Sequence, residues 1–109
     1  AFNKDIGRWN VSNGTSFSSM FSNAKSFDQN LSKWNTGNAT DMQSMFFAAL
    51  SFNGNVSTWN TQNVIRMGAM FRCASSFDQD ISSWNTSRVT DMYCMFYCAT
   101  SFCQNLSSW

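Results

Sequence analysis

Four cysteines, Cys73, Cys94, Cys98 and Cys103, are the strongest nucleophiles and soft-metal ligands in the chain, and all lie in its later half. A structural zinc site draws on knuckles of the C-x2-C kind, and the C-x3-C followed by x4-C found here is a different pattern. There is no histidine. That removes Ser–His and Cys–His nucleophile–base pairs and histidine-ligated zinc together. The acids are six aspartates and no glutamate. Asp78 and Asp80 stand close together, but a glycosidase-type pair needs two carboxylates across a cleft, one of them in an apolar pocket. The five glycines form no phosphate-cradling or dinucleotide pattern. These residue types predict a protein that is not an enzyme and needs no cofactor and no metal.

Two further sets of side chains carry chemistry of a softer kind. Asn3, Asp28, Asn53 and Asp78, with Asn30, Asn55, Asp80 and Asn105 two residues on, could offer oxygens to a hard cation. Asx turn chemistry accounts for the same residues with no ion. N-x-S/T sequons are dense, and those at Asn13, Asn30 and Asn38 are the best placed for glycosylation.

The elements that position these residues follow from a repeat. Trp9, Trp34, Trp59, Trp84 and Trp109 are spaced by 25 residues. Phe2, Phe27, Phe52, Phe77 and Phe102 keep the same period, as do the Met-Phe pairs at 20/21, 45/46, 70/71 and 95/96. No insertion breaks the register. Such a period predicts stacked coils, a single solenoid segment over 1–109 of about four and a third repeats within a longer chain.

Within each unit, Met42, Met45, Phe46 and Ala49 sit at i, i+3, i+4 and i+7, one face of a helix. Asn38 is a good N-cap type, and the pattern predicts a short helix over about 39–49. Residues 77–86 carry Phe77, Ile81 and Trp84 among Asn, Asp, Ser and Thr, which predicts a short extended segment. Stacking these segments at ~4.8 Å would give a parallel ladder. The Asn10, Asn35, Asn60, Asn85 column behind each Trp would then bond the turn backbone of the neighbouring coil. The expected fold class is therefore α/β, a solenoid with one short parallel strand and one short helix per 25-residue coil. Cys73 and Cys98 share a column one coil apart. They pair as a disulfide in an oxidising compartment, or all four thiols stay free in a reducing one.

Composition narrows the partners. Net charge is +1 and only 12% of residues are charged, so nothing drives phosphate-backbone binding, and no nucleic-acid partner is expected. No apolar run of about 18 residues spans a membrane. Lys4, Arg8, Lys25 and Lys33 against Asp5 and Asp28 leave residues 1–36 at +2, whereas Arg88 against Asp78, Asp80 and Asp91 leaves residues 75–109 at −2. Head-to-tail contact between copies, or variation at solvated columns, accounts for that drift. Ordinary repeat residues at both ends, Phe2 and Ile6 then Leu106 and Trp109, predict end-to-end contacts through uncapped coils.

The unit resembles the bacterial-surface-protein repeat of about 25 residues, related to the BspA-like branch of leucine-rich repeats. The resemblance rests on V-T-D-M-x-x-M-F-x-x-A-x-x-F at Val89–Phe102 and F-x-Q-x-I-S-x-W-N-T-S at Phe77–Ser87. It covers the chain end to end. Phe17 in place of Met, Arg66 in place of Asp and the cysteine cluster depart from its pattern. The resemblance implies a right-handed leucine-rich-repeat-like solenoid in an extracellular or cell-surface protein used for adhesion and protein contact. The residues flanking Ile and Trp in each extended segment, Arg8, Ser32, Lys33, Ser57, Thr58, Ser82 and Ser83, form the expected contact face for a protein or glycan partner. The alternative is a structural subunit docked in a large complex at an organelle or membrane periphery.

Overall fold

In the computed structural model, which describes residues 1–109, the 25-residue units lie one on another, and backbone hydrogen bonds tie each unit to the next. The tie is densest in the turn runs, 17–24, 42–49, 67–74 and 92–99. Taking the second run, the N–H groups of Met42, Ser44, Phe46 and Ala48 donate to the carbonyls of Arg66, Gly68, Met70 and Arg72 in the next coil. Those of Met45, Phe47 and Ala49 donate to the carbonyl three residues back. The remaining one, Gln43 N–H, donates to Asp41 Oδ1. Every donor in the run is thus paired, as a buried backbone requires.

This pattern overturns the helix expected over 39–49, and the structure has no helix at all. Half the donors that a helix would send four residues back are sent to the neighbouring coil instead. The backbone bends to allow it. Ser44 and Ala48 adopt φ of 56° and 54°, and Ser19, Asn23, Ala69, Cys73, Cys94 and Cys98 do the same in their own runs. A left-handed residue every four positions cannot occur inside a right-handed helix. It does reproduce the helix's four-residue recurrence, so Met42, Met45, Phe46 and Ala49 all point inward and are fully buried. An isolated helix of two or three turns is marginal in water, and stacking gives the same residues the same burial with every N–H bonded.

The strand expected over 77–86 is also absent. Parallel pairing is confined to single bridges, Ser16 to Asp41, Asp41 to Arg66 and Arg66 to Asp91, at the entrance to each turn run. In the segments from Phe to Trp, side chains replace the ladder. Asp28, Asn53, Asp78 and Cys103 each donate their N–H to Oδ1 of the Asn or Asp one coil earlier, at 2.8–3.0 Å. The column behind Trp does not carry this tie. Asn10, Asn35, Asn60 and Asn85 accept the N–H two residues on within their own coil. With neither helix nor strand per coil, the chain is not an α/β leucine-rich-repeat solenoid. The molecule measures 35 × 31 × 19 Å.

The core is a set of aromatic columns. Phe46 lies flat on Phe52 at 4.0 Å within one layer, and Phe71 on Phe77 at 3.9 Å in the next. Between layers, Phe46 meets Phe71 at 5.5 Å and Trp59 meets Trp84 at 6.2 Å, nearly parallel in both cases. A buried indole N–H needs an acceptor. Trp34, Trp59 and Trp84 donate to the carbonyls of Ile6, Leu31 and Val56, each in the preceding coil, at 2.9–3.0 Å.

None of the five glycines has positive φ, whereas Ala48 and Ala69 do. A Cβ in the left-handed region costs about 1–2 kcal/mol. Ala69→Gly removes that strain, offset in part by glycine's greater freedom when unfolded, about 0.5–1 kcal/mol. Thermal melting of the variant is expected to show a net gain of up to about 1 kcal/mol, several degrees in a chain of this size. Ala74→Gly, a buried position outside the left-handed set, is the control and should melt lower. A lower melting temperature for Ala69→Gly would contradict the assigned backbone.

Candidate functional site

The expected contact face is where the coils are latched together. Arg8, Lys33, Thr58 and Ser83 are exposed, and Ser32, Ser57 and Ser82 half-buried. Thr58 Oγ1 donates to Ser32 O at 2.7 Å, Ser83 Oγ to Ser57 O at 3.1 Å and Ser108 Oγ to Ser82 O at 3.1 Å. Ser57 and Ser82 hydroxyls donate to Asn55 and Asp80 of their own coil. Most hydroxyl hydrogens of this face are therefore spent inside the protein. Between the first two coils the latch is missing, because Lys33 stands where the later coils carry the hydroxyl, with Arg8 below it in the same column. There the surface opens into a cleft of about 190 Å³ lined by Asp5, Gly7, Arg8, Asn30, Ser32 and Lys33.

A second surface was not among the expected sites. On the outward side of the turn runs, the Arg72 guanidinium lies 5.7 Å from the Phe47 ring centre and 5.2 Å from that of Tyr97. These residues form one column, so the cation is held between aromatic rings of the coils before and after it. Tyr97 is 61% exposed, and Tyr93 beside it is 79% exposed. The sequence did hold a signal for this patch. Both tyrosines of the chain fall in the last turn run, outside its inward positions 92, 95, 96 and 99.

The four cysteines carry free thiols. Cys73 donates its N–H to Tyr97 O at 2.8 Å, which sets it against Cys98. Burial pushes the Cys73 thiol above its ordinary pKa, and the neighbouring Cys98 adds to the rise, while Arg72 opposes it. Alkylation proceeds through the thiolate. In the native chain at pH 8, the exposed Cys98 and Cys103 should be alkylated at least about tenfold faster than Cys73, with the difference abolished in urea. Peptide mass mapping without reductant reads both this order and whether the expected Cys73–Cys98 disulfide forms.

The carboxylates are engaged by the fold. Gln104 Nε2–H and Cys103 N–H hold Asp78 below the usual carboxylate range, and the Ser82 hydroxyl and N–H do the same for Asp80. A carboxylate depressed in the folded state contributes stability that is present above its unfolded pKa, near 3.9, and lost as pH falls through the folded value. Melting temperature should fall as the pH drops below about 4. Asp78→Asn keeps the Oδ1 acceptor, as Asn3 and Asn53 do in the same column, and should flatten that fall. The side-chain oxygens weighed as cation ligands, Asn3, Asp28, Asn53 and Asp78, each accept a backbone N–H.

Of the three sequons, Asn38 spends its Nδ2 on Ser12 O at 2.8 Å. Asn13 and Asn30 are exposed with Nδ2 unengaged by the protein, although Asn30 Oδ1 accepts the Ser32 N–H. At the ends of the stack, Phe2, Trp9 and Met20 are exposed on one side and Met92 on the other. No helix is long and apolar enough to cross a membrane.

One family model matches the chain twice, over residues 1–58 and over residues 30–109, so that the two matches together span it. Its description is Mycoplasma protein of unknown function, DUF285. No curated protein and no solved structure matches.

Proposed function

Because the chain belongs to the DUF285 family, whose description assigns no activity, we propose its role from its surface: a non-catalytic contact module of a cell-surface or extracellular protein, binding a protein partner. The observation that carries this reading is the Tyr93–Tyr97–Arg72–Phe47 patch. Tyrosine and arginine are enriched where proteins dock, and tyrosine gives large contact area at low entropic cost. Tyr93 is 79% exposed, and no hydrogen bond or ring stack in the fold uses its ring or hydroxyl. The Arg72 guanidinium is already aligned between two rings, so little side-chain freedom is lost on binding.

The test displays the chain on cells and measures adhesion to a panel of purified extracellular-matrix proteins. Saturable adhesion to at least one of them, reduced at least tenfold in Tyr93→Ser/Tyr97→Ser with an unchanged melting temperature, is the expected result. Adhesion equal in the two forms, or adhesion to no panel member, would overturn it.

A further inference from the structure

The cleft at the first two levels of the latched face has a property that no other part of the surface shares. Arg8 and Lys33 occupy the same column in successive coils, so two positive side chains lie side by side. Neither is within 4.0 Å of a carboxylate, since the single ion pair of the molecule joins Arg66 to Asp41 at 3.8 Å. At the next three levels the column holds Thr58, Ser83 and Ser108, whose hydroxyls tie coil to coil. Lys33 in place of the hydroxyl gives up one such hydrogen bond, and Arg8 below it adds like-charge repulsion. An anion between them would relieve the repulsion.

The remaining lining is suited to a hydroxylated ligand. The Ser32 hydroxyl makes no hydrogen bond within the protein, unlike Ser57 and Ser82 in its column. Asn30 Nδ2 is likewise free, its Oδ1 being held by the Ser32 N–H at 2.8 Å. No lining residue is hydrophobic. An acidic peptide would bring apolar groups with nothing to pack on, whereas an acidic sugar brings hydroxyls. The volume, about 190 Å³, is below the roughly 300–1,000 Å³ of pockets for drug-sized ligands, which leaves room for one sugar unit.

We propose that this cleft binds a single acidic sugar residue, its carboxylate between Arg8 and Lys33 and its hydroxyls on Ser32 and Asn30. The guanidinium provides two parallel N–H donors for the carboxylate and the ammonium a point charge. Asp5 lies in the same lining, with Oδ1 fixed by the Gly7 N–H at 3.0 Å. Its charge limits affinity for any anion and sets the cleft apart from a generic phosphate sink. The cleft uses none of the residues of the tyrosine patch, so each site stands or falls without the other.

Amide NMR titration of the 109-residue chain with D-glucuronate is the test, with D-glucose and acetate as comparison arms. Glucuronate should shift the amides of Gly7, Arg8, Ser32 and Lys33 at millimolar concentration, at least tenfold below the concentration at which either comparison compound does so. Added salt should weaken the response. Arg8→Gln and Lys33→Gln should each weaken it at least fivefold without lowering the melting temperature. Asp5→Asn, which keeps the turn acceptor that Asn30, Asn55 and Asn105 supply in the same column, should strengthen it several-fold. Equal binding of acetate and glucuronate would overturn the sugar assignment. No shift at those amides, or a full response in Arg8→Gln/Lys33→Gln, would overturn the site.

Discussion

Phe71→Ala should cost about 3–5 kcal/mol. The chain as a whole has roughly 5–15 kcal/mol at its disposal, if it follows the usual 0.05–0.15 per residue. Phe71 is fully buried. It lies flat on Phe77 at 3.9 Å, between Phe46 at 5.5 Å and Phe96 at 5.8 Å, with Trp84 at 6.2 Å. No side chain in that column can move to fill the gap, because each is fixed by the ring above and the ring below. The cavity therefore stays open, and the loss exceeds the transfer free energy of the ring alone. In a stacked protein the effect is also structural, since coils hold together only through their neighbours. Urea unfolding followed by tryptophan fluorescence should show a lower midpoint and a broader transition as the two sides of the lesion uncouple. Phe2→Ala, at a ring that is 45% exposed, should cost far less. Equal losses at the two positions would mean that the columns do not act as a continuous core.

Gly54→Ala is the second large effect, and it comes from a single methyl group. A Cβ at Gly54 would overlap the backbone carbonyl oxygen of Gln29 and stand 2.8 Å from Cε1 of Phe52. The obstacle is main chain, and Phe52 is fully buried, so neither can retreat as a surface side chain would. Overpacking of this kind costs typically 1–3 kcal/mol, and the upper end, about 3 kcal/mol, is expected here. Glycine at 54 serves close approach and not backbone conformation, because no glycine of the chain has positive φ. Gly37→Ala, whose nearest neighbour would be the Asn35 side chain at 3.2 Å, is the comparison and should be nearly neutral. A loss at Gly54 of less than about 0.5 kcal/mol would mean the two coils are further apart than described.

The inward positions were legible in the sequence. The period of 25 placed Phe27, Leu31, Trp34, Met45 and Phe46 in columns, and all are buried. The secondary structure was not legible, for a reason visible in the turn runs. Apolar residues at i, i+3, i+4 and i+7 are what a helix shows, but the same spacing arises from turns with a left-handed residue every four. Glycine would ordinarily announce such residues, and here Ser, Asn, Ala and Cys occupy them. The inter-coil amide ladder was expected behind the tryptophans and lies behind the phenylalanines. Both columns are Asn-rich, and spacing alone does not say whether an Asx oxygen turns back on its own coil or reaches the next. The site was legible in part. Arg8, Ser32 and Lys33 were identified as surface, but the cleft they form depends on a latch that is omitted between the first two coils. The Arg72 sandwich needs three residues from three coils and leaves no local motif.

The direction of the bonds between turn runs has an electrostatic consequence. At each of the three interfaces, four N–H groups point toward the later coil and four carbonyls toward the earlier one. The reverse bonds, donated by Thr40, Asp41, Ile65, Arg66 and Thr90, are outnumbered. The aligned peptide units add up along the stack as they do along a helix, giving it a macrodipole although it contains no helix. Its negative end lies toward the first coil and its positive end toward the last, because the N–H groups point along the chain. Lysines 4, 25 and 33 and Arg8 gather near the first pole, and Asp78, Asp80 and Asp91 near the second. The charge drift along the chain thus has the sign that neutralises its own backbone.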